Sequence, residues 1–184
     1  HSTSRRQRQM CIRDRCSLML GCASAYSEIE IHPGKIFTRG IVTDTCYTSE
    51  WLGLKYTLTD QMKMDDFDTE GSENAVAEMY ASVKEMEDDI SILVEKSSAN
   101  IDQQIKALKD EIQSRYDTVD FEDISQKSLC DLKFIQLGCA STIDDVQFYQ
   151  MILFKKIDDR FVFIITNAST KEDCDRLLDG FSIL

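Results

Sequence analysis

The chain is poor in the residues that usually punctuate or activate a protein: 184 residues contain one Pro, seven Gly, two His and one Trp. Glycines this scattered form neither a phosphate-cradling Gly-rich loop nor a G-x-S-x-G nucleophile turn, which excludes the common nucleotide-binding and esterase signatures. The histidines are His1 and His32, so neither a Ser-His-Asp triad nor a zinc site with His ligands is expected. Positive charge is scarce as well, with 21 Lys plus Arg against 33 Asp plus Glu and a net charge of −12. Such a surface repels phosphate backbones and anionic bilayers, so nucleic acid is excluded as a partner. No apolar run is long enough to form a transmembrane helix.

What basic character there is gathers at the start. Residues 1–15, with Arg5-Arg6-Gln7-Arg8-Gln9-Met10-Cys11-Ile12-Arg13-Asp14 at their centre, resemble the translation of a transposon-end sequencing adapter and are read as an artefact. Five of the 21 basic residues and one of the 33 acidic ones fall there, so the remainder carries 16 against 32, a net of −16. Residues 16–25, Cys16-Ser17-Leu18-Met19-Leu20-Gly21-Cys22-Ala23-Ser24-Ala25, form an apolar run ending in small residues, the tail of a truncated signal peptide. Two processing routes are open. Ala23-Ser24-Ala25 is an A-x-A site releasing Tyr26, whereas Met19-Leu20-Gly21-Cys22 resembles a lipobox that makes Cys22 a lipid attachment site. Either places the protein outside the cytoplasm, secreted or anchored to the outer face of the cell membrane, and a lipid anchor is the sole membrane contact expected.

Cys11, Cys16 and Cys22 lie in these two segments, which leaves Cys46, Cys130, Cys139 and Cys174. None forms C-x-x-C, and free, half-buried thiols are expected. Residues 26–45 read as a leader holding the only Pro, Pro33, and residues 46–184 as one domain.

In that domain Tyr47 to Gly53 and Leu54 to Leu58 read as a hairpin with a Gly turn. Val76, Met79, Tyr80, Val83 and Met86 recur at helical steps behind Ser72, which predicts a helix. Ile90, Ile92 and Val94 predict a strand, and Asn100 caps a helix with the stripe Ile101, Ile105, Leu108 and Ile112. The stretch from Asp117 to Asp123 reads as an acidic loop. Strands are expected over 132–140, 146–157 and 161–166, the last two joined by Asp158-Asp159-Arg160. Thr170 opens a closing helix with the stripe Cys174, Leu177, Leu178 and Phe181. Strands apolar on both sides, such as Phe161-Val162-Phe163-Ile164-Ile165, are covered on both faces, and helices are the expected cover.

Tyr47-x-Ser49-Glu50-Trp51-Leu52-Gly53-Leu54-x-Tyr56-x-Leu58 resembles the opening hairpin of PsbP-like domains, including those of small exported or lipid-anchored proteins of Gram-positive bacteria. The long aromatic strand pair and closing helix fit the same family, over nearly all of residues 46–184. The family's Pro-x-Gly turn after the second strand is replaced here by Asp60-Gln61-Met62. The resemblance implies an α+β fold, an α/β/α sandwich with a central antiparallel sheet of about six strands flanked by helices. It also implies a non-enzymatic binding or accessory role toward a protein or cell-surface partner, with no cofactor and no catalytic residue set to carry over.

The residues themselves offer one alternative chemistry. Asp66, Asp68 and Glu70 of the acidic loop 65–73 stand at positions one, three and five before Gly71, as a calcium loop begins, which makes weak calcium or small-ligand binding the second reading. Position twelve is Ala77, so the bidentate Glu is missing. The carboxylate pairs Asp88-Asp89 and Asp144-Asp145 read as solvated element ends rather than acid–base pairs. Trp51 is expected to be a core plug.

Overall fold

The computed structural model describes residues 36–65, 74–83 and 88–184. Within them Phe161-Val162-Phe163-Ile164-Ile165 shows how the chain is layered: Phe161, Phe163 and Ile165 enter one hydrophobic core, Val162 and Ile164 another. The period of two sends alternate side chains to opposite faces, so a wholly apolar strand requires two covered faces.

The chain runs β1 (Ile41–Val42), β2 (Cys46–Ser49), β3 (Leu54–Thr57), β4 (Met62–Met64), β5 (Ala75–Val83), β6 (Asp89–Lys96) and α1 (Ile101–Arg115). It continues through β7 (Thr118–Phe121), β8 (Ser125–Leu129), β9 (Leu132–Ile143), β10 (Val146–Ile157), β11 (Arg160–Ala168) and α2 (Lys171–Leu177), then a 3-10 turn (Leu178–Gly180) and β12 (Phe181–Ile183). Two antiparallel sheets result. The smaller has four strands in the order β1-β2-β3-β12; the larger has eight, β4-β5-β6-β11-β10-β9-β7, with β8 also pairing β9.

This arrangement overturns the expected α/β/α sandwich of about six strands. Helix α1 covers one face of the large sheet, packing Ile101, Leu108 and Ile112 onto Leu93, Leu137, Ile152, Phe154 and Phe163. The other face is covered mainly by the small sheet, through Tyr47, Trp51, Leu54 and Tyr56, with α2 adding Cys174 and Leu177. The sequence signalled that both faces are buried, and a sheet satisfies that demand as well as a helix does.

The helix expected behind Ser72 is instead β5. Its register against β6 slips between Ala77 and Met79, so Glu78 is the extra residue of a β-bulge. The bulge keeps Met79, Ala81 and Val83 in the inter-sheet core, and the step of three across it imitates a helical period. The expected acidic loop at 117–123 contains β7, an edge strand whose Thr118 and Asp120 face solvent; outward charge is how such edges avoid pairing with other chains. Phe181, expected on the closing helix, belongs to β12 and packs its ring 4.8 Å from Tyr56.

The remaining elements follow local chemistry. Asn100 forms a full capping box with Gln103, with N···O distances of 3.0 and 2.7 Å. Thr170 accepts from the Asp173 amide at 3.2 Å to start α2. The hairpin turns use hardly any glycine: positive φ falls on Cys130 (54°), Asp144 (48°), Asp145 (62°) and Asp158 (51°), with Gly53 (69°) ending the first hairpin. Asp tolerates the left-handed region better than most residues, which lets a glycine-poor chain close tight hairpins. Trp51 is buried at 4% exposure in the loop between β2 and β3, where the Leu52 amide donates to Ser49 Oγ. The turn lacking the family's Pro and Gly closes through the Met62 amide, which donates to the Thr59 carbonyl at 2.9 Å.

Candidate functional site

Glu78, lifted out of register by its bulge, is buried to 4% exposure between the sheets. Its Oε2 accepts from the Gly40 amide at 2.6 Å and the Tyr47 hydroxyl at 3.1 Å. Arg39 Nε lies 3.7 Å from Oε1, and Arg39 Nη2 donates to the Ala77 carbonyl at 3.4 Å. Burial pushes the Glu78 pKa up, and these donors offset part of that rise. Burial, then the adjacent carboxylate, raises Tyr47 out of any ordinary titration range. Beside this cluster the Phe37 ring meets Trp51 edge-on at 5.1 Å, and the Arg160 guanidinium lies over the Phe37 ring at 4.2 Å. Residues 37–40 thus form a strap that touches both sheets, with Trp51 of the β2–β3 loop on the small-sheet side and Glu78 and Arg160 on the large sheet.

A second polar cluster pins α2. Lys171 donates to both Glu122 oxygens at 2.7 and 2.6 Å, and one turn on Asp175 pairs with Lys127 of β8. The Lys171 hydrogen bonds hold Glu122 below the usual carboxylate range. Between them Tyr149 lays its hydroxyl over Gly138, and burial, followed by the neighbouring Glu122, raises its pKa. Glu122 sits where β7 gives way to β8 along β9, and its amide donates to the Gly138 carbonyl at 2.9 Å. The third cluster crosses three strands in register: Asn167 donates to Asp89 at 2.8 Å and Gln150 to Asn167 at 2.7 Å.

All three arrangements tie ionisable groups to partners within the fold. The residues singled out from sequence are distributed differently. Cys22, Asp66, Asp68 and Glu70 lie outside the described residues. Asp65, at the head of that loop, accepts from Ser82 and pairs with Lys63. Asp144 and Asp145 are turn residues, whereas Asp88 and Asp89, expected as a solvated element end, are buried. Among the described residues no group of three or more His, Cys, Asp or Glu could hold a metal ion, and no helix is long and apolar enough to cross a membrane. Cys46, Cys130, Cys139 and Cys174 are free thiols; burial pushes Cys139 up to about 11 and Cys174 up to about 12, so neither is an activated nucleophile.

Glu78 and the 37–40 strap were not anticipated. The one signal was an acid embedded in Ala75-Val76-Ala77-Glu78-Met79-Tyr80-Ala81, which a helical reading turns outward.

An eight-stranded antiparallel sheet with a helix on one face and a small sheet on the other gives the chain a PsbP-like fold. It is similar to the solution structure of cyanobacterial PsbP (CyanoP) from Synechocystis sp. PCC 6803, with a TM-score of 0.50 and 9% identity over 83% of this chain and 99% of that one. No family model and no curated protein sequence matches the chain.

Proposed function

We propose that the protein is a non-enzymatic binding or accessory domain working outside the cytoplasm, secreted or lipid-anchored at the surface of a Gram-positive bacterium. The observation that carries the non-enzymatic, accessory part of this reading is the PsbP-like fold, matched over 83% of the chain. Two features support it. The buried ionisable groups Glu78, Tyr47 and Asp89 are held in intramolecular hydrogen bonds, which leaves them as braces of the scaffold. The apolar run ending at Cys22 and Ala25 has the form of an export signal. The acidic balance, 33 Asp plus Glu against 21 Lys plus Arg, favours a cationic partner surface.

Fractionation of cells expressing the intact gene tests the reading. The protein is expected in the medium or, labelled by a palmitate analogue, in the membrane fraction. Recovery in the cytoplasm with residues 16–25 retained refutes export, and turnover of a broad hydrolase panel above background refutes the non-enzymatic role.

A further inference from the structure

We propose that the flank of α1 and the connection between β7 and β8 form a binding groove for a short peptide with free termini, about three residues long and apolar in the middle. The groove has a volume of about 450 Å³, within the range of small-ligand sites, and its lining includes Asp102, Ile105, Lys106, Lys109 and Asp110 of α1 and Ile124 of the connection. It stands apart from the three clusters that brace the scaffold, and it goes beyond the proposed accessory role, which requires no small ligand.

The groove has an apolar centre and two charges left over. Ile105 and Ile124 are half-buried and continue the core between α1 and the large sheet, so they offer apolar surface that the fold covers only in part. At the rim Lys106 and Asp110, 67% and 59% exposed, neutralise each other at 2.5 Å. Lys109 has no such partner: its Nζ rests 5.0 Å from the Phe121 ring centroid and pairs with no carboxylate among the described residues. Asp102 forms no ion pair there either, and its Oδ2 is buried without a hydrogen-bond donor. A desolvated acceptor of that kind is costly until a donor reaches it.

The spacing selects the ligand. Asp102 and Lys109 stand two helical turns apart on one face of α1, which separates them by about 10 Å along the axis. Three extended residues span about 10 Å, so a tripeptide sets its ammonium at Asp102 and its carboxylate at Lys109 while its central side chain lies over Ile105 and Ile124. Charge agrees with length. The two acids and two lysines of the groove cancel, on a chain whose balance is −12, so a zwitterion is accepted where a net anion is repelled by the whole molecule. An aliphatic acid leaves Asp102 unsatisfied, and an amine alone leaves Lys109 unpaired.

Isothermal titration calorimetry of the full chain with the synthetic tripeptide Ala-Leu-Ala tests the groove. Saturable binding in the millimolar range or tighter is expected, and acetylating the peptide's N-terminus or amidating its C-terminus is each expected to weaken it at least tenfold. Two variants separate the ends: Lys109→Gln is expected to bind the free peptide and its amide equally, while still discriminating against the acetylated form, and Asp102→Asn is expected to do the reverse. Circular dichroism checks that both keep native helix and strand content; if Asp102→Asn unfolds, the acetylated peptide on wild type reads the same end. The inference is overturned if the free peptide gives no saturable heat, if the capped peptides bind wild type as tightly as the free one, if folded Lys109→Gln still discriminates against the amide, or if octanoate binds more tightly than the tripeptide. Such a failure removes the groove alone, because export and absence of turnover are read by fractionation and the hydrolase panel.

Discussion

Replacing Gly138 by Ala is a sharp test of the packing around α2. A Cβ at this position would stand 2.1 Å from the Tyr149 hydroxyl oxygen, 2.9 Å from Glu122 Oε2 and 3.1 Å from Tyr149 Cζ. Glycine within a strand usually costs about 0.5–1 kcal/mol relative to alanine, so Gly→Ala there would ordinarily stabilise. Here the added methyl must displace a ring that is 8% exposed and a carboxylate held by Lys171. Overpacking of that kind costs about 1–3 kcal/mol, leaving a net loss on the order of 1–2 kcal/mol. For a domain of this size that lowers Tm by about 2–8 °C, measurable by calorimetry or by circular dichroism. Tyr149→Phe removes the atom in closest approach and leaves the 3.1 Å contact to Cζ, which a small shift of the ring relieves. In that background the cost of Gly138→Ala is expected to fall by about 1 kcal/mol, a coupling that a double-mutant cycle resolves. A neutral or stabilising Gly138→Ala, or an equal cost in both backgrounds, refutes the reasoning.

Asn100→Ala removes half of the α1 capping box and is expected to cost about 1 kcal/mol in urea unfolding, while Asn100→Ser retains most of the stability. Glu78 and Glu122 give opposite pH dependences. The raised pKa of Glu78 means the folded state binds a proton between the unfolded pKa and the folded one, so its contribution to stability falls as pH rises through that window; the melting difference between wild type and Glu78→Gln therefore shifts against wild type from acid to neutral pH. The lowered pKa of Glu122 contributes stability above its unfolded pKa that is lost as pH falls through the folded value, so Glu122→Gln is expected to destabilise at neutral pH and to converge on wild type in acid. Alkylation of the native protein, mapped by mass spectrometry, is expected to modify half-buried Cys46 and Cys130 well before buried Cys139 and Cys174. Equal rates at all four would show that the core opens readily.

Much of the architecture was legible because strand pairing and capping are local. The 146–157 and 161–166 strands, the Asn100 helix and the first hairpin all stand where period and turn chemistry place them. The failures share a physical cause. At β5 an inserted residue turned period two into an apparent step of three, and at β7 an edge strand carries polar residues because it has only one neighbour. The candidate site was less legible still, since Glu78 meets Arg39, Gly40 and Tyr47 across 31 to 39 residues of chain.

The sequence by itself determined that Phe161 to Ile165 are buried on both faces, that a turn falls at Asp158-Asp159, and that α1 and α2 begin at Asn100 and Thr170. It also determined an acidic surface, because charge is a sum that no folding alters. Only the tertiary structure decided what covers the second face of the large sheet. Helices and strands both present apolar surface to a sheet, and alternation along one strand cannot distinguish them. The same holds for Glu78: a bulge and a partner strap, both set by distant segments, decide that a charged side chain turns inward.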